Sequence, residues 1–125
     1  LENPALIHGK LGAYISKTRY NVTDEGVLNA IRVHTVGKPG MSCLEKIVYI
    51  SDYIEPGRLL PDAKHPLNEL RQLAKKDLDL TTCLILENTL GYLGTTGKPI
   101  DEASKKTLDF YSKIIKARKE DETDV

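Results

Sequence analysis

The sequence lacks a surplus of charge of either sign, with 18 Lys and Arg against 18 Asp and Glu. That balance argues against a general nucleic-acid binder, which needs many unpaired cations against phosphates. Any apolar run approaching the roughly 18–20 residues that cross a bilayer is also lacking, and no signal-peptide pattern opens the chain. Membrane and secretory readings fall away on those grounds. Cysteine is scarce: Cys43 and Cys83 stand far apart, with no Cys-x-x-Cys and no Cys-His cluster. A disulfide framework in so short a chain needs more, so both read as free thiols in a reducing cytoplasm. Both have apolar neighbours and are expected to be buried and inert. No stretch alternates with a period of two, so strands are not expected, and no repeat is visible. An initiator Met is lacking too. The chain begins Leu-Glu-Asn-Pro, which reads as a processed, truncated or partial product.

What is there is one domain's worth of chain, residues 1–125, with enough apolar content for a modest core. The apolar spacing is helical almost throughout. Leu6, Leu11, Tyr14 and Ile15 recur on one face, and the segment fades near residues 18–21. Thr23 is placed to cap a second helix whose face is Val27, Leu28 and Ile31. Ser42 and Glu45 have capping-box spacing before a third, with Leu44, Ile47, Val48, Ser51 and Ile54 inward. Prolines stiffen an irregular loop between Pro56 and Pro66. A short helix over 67–76 and a longer one over 78–93 follow, the latter with Cys83, Leu86, Leu90 and Leu93 inward and Gly94 as its stop. Asp101 caps a last helix carrying Leu108, Tyr111, Ile114 and Ile115, and residues 119–125 read as a charged, frayed tail. The expectation is an all-α domain of about six helices.

Three polar residues interrupt faces that should be apolar. His8 aligns with Leu11 and Ile15, His34 continues the stripe of Val27 and Ile31, and Asp52 follows Val48 by one turn. Burying an ionised carboxylate is costly without a cation or donors. Two imidazoles and a carboxylate from three helices are a set that bundles use for metal and phosphate sites. The bland alternative is a hydrogen-bonded core network, with Asp52 paired to Arg58. His65, in a polar loop, reads as solvated. Lys38, Arg58 and Lys98 each follow a glycine in a turn, where backbone N–H groups and a cation favour an anion. Arg58 suits phosphate best, because guanidinium donates in a fork.

Residues 1–12 (LENPALIHGKLG), 28–44 (LNAIRVHTVGKPGMSCL) and 45–58 (EKIVYISDYIEPGR) carry a more specific pattern. Ile7-His8-Gly9, the run from Ile31 to Met41 and the run from Asp52 to Arg58 stand in the order found in the YqeK-type branch of HD-domain phosphohydrolases. Glu87-Asn88-Thr89 and Gly97-Lys98-Pro99-Ile100 also fit. The sequence resembles that family over most of its length. The resemblance implies an HD-domain-like helical bundle and a metal-dependent hydrolase that cuts diadenosine tetraphosphate symmetrically into two ADP. Iron is the implied ion, with manganese, cobalt or magnesium as alternatives.

The resemblance makes Asp52 the last metal ligand. It brings His8 and His34 to the bridging phosphates or a second metal position, and Thr35 and Arg58 to the nucleotide's phosphates. The loop of Thr95, Thr96, Gly97, Lys98, Pro99 and Ile100 would close on the nucleoside. The sequence holds no His-Asp dipeptide, since its histidines precede Gly, Thr and Pro. The family's first His and its His-Asp pair are therefore expected on N-terminal helices upstream of Leu1, which makes this chain the C-terminal part. Such a chain is expected to be unstable, oligomeric (a homo-oligomer) or completed by another chain. A different class fits the same residues: a helical nucleotide-binding or regulatory module without catalysis.

Overall fold

A computed structural model describes residues 4–60, 62–97 and 99–123. Six helices follow in order: α1 Pro4–Arg19, α2 Glu25–Val33, α3 Cys43–Tyr53, α4 Leu67–Ala74, α5 Leu78–Thr96 and α6 Glu102–Thr123. No strand occurs among the described residues. The all-α expectation holds, helix for helix.

The helix starts follow local chemistry. Ser42 and Glu45 form a reciprocal capping box: the Glu45 N–H donates to Ser42 Oγ at 3.2 Å, and the Ser42 N–H donates to Glu45 Oε1 at 2.8 Å. Asp24, not Thr23, caps α2, taking the Val27 N–H on its carboxylate at 3.0 Å. A carboxylate there also meets the positive end of the helix dipole, which a hydroxyl cannot match. Asp101 caps α6 through the Ala103 N–H at 2.8 Å. Pro66 is the N-cap of α4, one position before the first turn where the sequence would put it.

Several features differ from expectation, α4 for one ending at Ala74 and not at residue 76. α5 runs through Gly94 and stops at Gly97, whose φ of 72° lies in the left-handed region that a side chain disfavours. A glycine stops a helix when the chain must turn left-handed there, and Gly94 remains helical. α6 continues past Lys119 to Thr123, so the tail is helical where fraying was expected, and residues 124–125 lie outside the description. Cys43 is exposed and Cys83 buried, so only one thiol is a core residue. Cys43 opens α3 in the turn next to the cap, on the solvent side.

The core gathers where α3, α4, α5 and α6 meet, around Met41, Tyr49, Ile50, Leu67, Leu70, Cys83, Ile85, Leu86 and Tyr111. Tyr111 is buried with its hydroxyl accepting the Met41 N–H at 2.9 Å, which ties the loop before α3 to α6. Burying each of the aliphatic side chains contributes roughly 1.5–3 kcal/mol. An ion network fastens the same helices from outside. Lys46 meets Asp79 at 2.8 Å, and Arg118 donates to Asp77 at 2.9 Å and to Asp79 at 3.0 Å.

α1 stands apart from this core and packs chiefly against α2. The apolar stripe read from its sequence faces outward: Leu11, Tyr14 and Ile15 are exposed, as is Ile7 beside them, while the side chain of Leu6 lies outside the description. Its buried side is the small one, Gly9 and Ala13. A Cβ at Gly9 would overlap the Arg32 carbonyl, and one at Gly12 would meet Ile31 Cγ2 at 3.3 Å. Backbone-to-backbone approach, not apolar bulk, decides which face of α1 turns inward. On α3, Leu44 and Ile47 are likewise exposed, Ser51 faces solvent, and Glu45, Tyr49 and Ile50 are buried instead.

Two carboxylates give the fold an acid limit. Burial opposes the charge of Glu45, but the Ser42 N–H and the Lys38 ammonium, 3.1 Å away, outweigh it and hold the carboxyl below its ordinary value. Burial opposes Asp77 too, and the Leu80 N–H with Arg118 overcomes it in the same direction. The unfolded chain, with ordinary values near 4, therefore binds more protons than the folded chain as pH falls. The thermal midpoint is expected to hold above about pH 5 and to drop as acid is added through about pH 4. Glu45→Gln should flatten that decline; an unchanged slope in acid would show that these pairs are not its cause.

Candidate functional site

The structure brings the two imidazoles together. His8 on α1 and His34 at the end of α2 lie with ring centroids 5.3 Å apart and planes tilted by 58°. The approach depends on Gly9, the residue after His8, which lets α1 sit against the Arg32 carbonyl. His34 is the C-cap of α2, and its Nδ1 lies 2.6 Å from the Ile31 carbonyl oxygen. A carbonyl only accepts, so Nδ1 donates here, and Nε2 is the ring nitrogen left to face a phosphate, a water or an ion. His8 is exposed, not turned inward as the sequence suggests, because the small face of α1 is the buried one. Thr35 follows His34 in the turn and is exposed.

Asp52 does not face the core. It is exposed in the last turn of α3, where its charge adds to the burial that pushes the Tyr49 hydroxyl up. Solvation explains the position: an ionised carboxylate stays in water where no cation meets it inside. Among the described residues, no three His, Cys, Asp or Glu side chains gather closely enough to hold a metal ion. His8, His34 and Asp52 therefore do not form a three-ligand cluster, and the implied iron, or any alternative ion, does not fit the described residues by themselves.

Arg58 occupies a second locus. Its guanidinium carbon lies 5.2 Å from the centroid of the Tyr53 ring, and its Nε is buried without a hydrogen-bond partner. The pairing with Asp52 weighed from the sequence is not among its contacts; the aromatic face takes that place. The residue is only half-buried and no carboxylate is among its described partners, so the outer edge of the guanidinium is left for an incoming anion. Lys38, by contrast, is already paired with Glu45, so this loop cation serves the fold.

The loop around residues 95–100 divides. Thr95 and Thr96 belong to α5, their hydroxyls donating to the carbonyls of Tyr92 at 2.7 Å and Leu93 at 3.0 Å. Gly97 and Pro99 are exposed and Ile100 is half-buried, while Lys98 lies outside the described residues.

The sequence reading missed a polar cluster beside Arg58. His65 is half-buried, not solvated, with Nε2 2.6 Å from Glu87 Oε2. Buried Asn88 holds the His65 main chain from both sides, accepting its N–H at 2.9 Å and donating to its carbonyl at 2.8 Å. Burial pushes the Tyr53 hydroxyl up, opposed by the Asn88 amide and the Arg58 charge. The available signal was Asn88 itself, a polar residue three positions after Ile85 on a helix otherwise buried there.

Comparison with known proteins bears on the family and the fold. No family model matches the chain. It is 42% identical over 98 residues to the symmetrical bis(5'-nucleosyl)-tetraphosphatase of Bacillus subtilis, covering 78% of this chain and 50% of the relative. It is 39% identical over 114 residues to the protein of that name in Halalkalibacterium halodurans, covering 91% of this chain and 57% of the relative. A solved structure of a predicted HD superfamily hydrolase involved in NAD metabolism, from Clostridium acetobutylicum, superposes with a TM-score of 0.79 at 34% identity. That match covers 90% of this chain and 61% of the other. These likenesses bear out the resemblance read from the motifs, and the helical bundle with it. The chain spans about half the length of the curated relatives it matches. Among the described residues, no helix is long and apolar enough to cross a membrane.

Proposed function

We propose, from the likeness to these tetraphosphatases and to an HD superfamily hydrolase, that this chain forms the phosphate-handling part of an enzyme that hydrolyses diadenosine tetraphosphate into two ADP. The observation that carries the reading is the imidazole pair: two rings from two helices, with His34 Nδ1 engaged by the Ile31 carbonyl and Nε2 left without a protein partner in the described contacts.

Symmetrical cleavage breaks the P–O bond between the two middle phosphates. A water oxygen bonds to one of the two phosphorus atoms, and the bridging oxygen leaves with the other ADP. His34 Nε2 is the atom placed to accept the proton that the water loses. His8, across the tilted ring, donates to a phosphoryl oxygen. Arg58 neutralises charge that grows on the leaving phosphate, and charge stabilisation of this kind is usually the largest single contribution. Thr35 offers a hydroxyl to the same phosphates, and residues 95–100 cover the nucleoside.

A bound ion would polarise a phosphoryl oxygen and lower the pKa of its water. Asp52 is the ligand that the resemblance gives to such an ion, but the described residues gather no others around it, so no step is drawn through the metal. That lone carboxylate favours the second reading, nucleotide binding without turnover. The free thiols support a cytoplasmic setting. The exposed side of α1 supports self-association or completion by another chain.

The test is product analysis. Incubation with diadenosine tetraphosphate and iron or manganese is expected to release ADP alone. Binding of the dinucleotide without ADP would leave only the second reading, and neither binding nor ADP would dismiss both.

A further inference from the structure

Arg58 sits in a long connection between α3 and α4, and such a segment ordinarily moves. Here it is fixed at both ends. At its start, Arg71 of α4 donates from Nε to the Ile54 carbonyl and from Nη2 to the Glu55 carbonyl, each at 3.0 Å. Near its end, Asn88 of α5 grips His65 through both main-chain groups, and Glu87 takes the His65 ring. Asn88 is 7% exposed, so its amide competes with little water for those bonds. The Arg58 guanidinium rests over the Tyr53 ring at 5.2 Å, and the Asn88 amide favours the charged form of that tyrosine's hydroxyl, opposing the upward push of burial. One side chain thus restrains the loop and acts on the residue that carries its arginine.

We infer that Asn88 is a positioning residue for Arg58, holding the loop so that the guanidinium meets a nucleotide's phosphate already oriented. The inference rests on the reading of Arg58 as a phosphate contact. Its physical basis is pre-organisation: an arginine that need not be immobilised on binding keeps more of its interaction energy as affinity. The two bonds to His65 imitate a short strand pairing and suit an amide, which alone among small side chains both donates and accepts in one plane.

A double-mutant cycle in the full chain tests it, with ADP as the probe and isothermal calorimetry as the readout. Asn88→Ala is expected to weaken ADP binding about tenfold beside Arg58 and less than about twofold in an Arg58→Ala background, as residues acting through one another do not add. Equal losses in both backgrounds would overturn the inference. The NMR signal of the Arg58 Nε–H provides the second measurement, which needs no nucleotide. It should be sharp and slow to exchange in the parent and broadened or lost in Asn88→Ala; an unchanged signal would also overturn the inference. If Arg58→Ala binds ADP as tightly as the parent, the phosphate reading fails, while the Nε–H signal still decides whether Asn88 orders the arginine. Should Asn88→Ala fail to fold, Asn88→Ser keeps a polar group in the helix but cannot span both His65 groups, and the same outcomes apply.

Discussion

Gly9→Ala is expected to lower the thermal midpoint and to weaken ADP binding together. In an isolated helix the change would be favourable, since alanine exceeds glycine in helix propensity by roughly 1 kcal/mol. Here the added Cβ would overlap the Arg32 carbonyl, a backbone atom that cannot move without carrying α2 with it. Overpacking of this kind costs about 1–3 kcal/mol, which moves the midpoint of a domain this size by several degrees. The binding loss follows because the contact that would be forced apart is also the one that brings His8 to His34. Gly91→Ala provides the comparison: it is also helical, and a Cβ there meets nothing within 4 Å, so that variant should be neutral or slightly more stable. Differential scanning calorimetry on the pair decides the matter. A midpoint for Gly9→Ala equal to or above that of the parent would mean that the α1–α2 contact is not what sets the imidazole pair.

The same contact explains where the sequence could be read and where it misled. Periodicity gave the helices because core helices must repeat apolar residues at their own period, and the stripe of Leu108, Tyr111, Ile114 and Ile115 behaves that way. Caps were legible for a local reason: the partners of Ser42 and Asp101 lie within three residues of them. The orientation of α1 was not legible. Counting Leu11, Tyr14 and Ile15 as inward assumes that bulk chooses the buried face, whereas the close approach at Gly9 chooses the other one. That error also turned His8 inward. His8 and His34 do meet, but not as the inward residues the pattern makes them, since His8 is exposed; Asp52, included by the same logic, stands in solvent. His65 was dismissed because its loop is polar in composition. Its partners, Glu87 and Asn88, come from a helix more than twenty positions away, and no local pattern encodes such a pairing.

Arg58→Ala is expected to separate binding from folding, which is what distinguishes a ligand contact from a structural one. Its buried Nε has no acceptor, so truncation breaks no hydrogen bond at that atom and leaves no partner orphaned. What the fold loses is the contact with the Tyr53 ring, worth about 0.5–1 kcal/mol where partly exposed. What a bound nucleotide would lose is a charge-assisted hydrogen bond, worth roughly 1.5–3 kcal/mol, or about ten- to a hundredfold in the ADP dissociation constant. Arg58→Lys should recover little of this, because an ammonium neither forks onto a phosphate nor lies flat on tyrosine. A core arginine would behave in the opposite way, with a large drop in midpoint and affinity falling only as the folded fraction falls. Measuring both quantities on the same samples tells the cases apart, and an ADP affinity untouched by Arg58→Ala would remove this residue from the phosphate site.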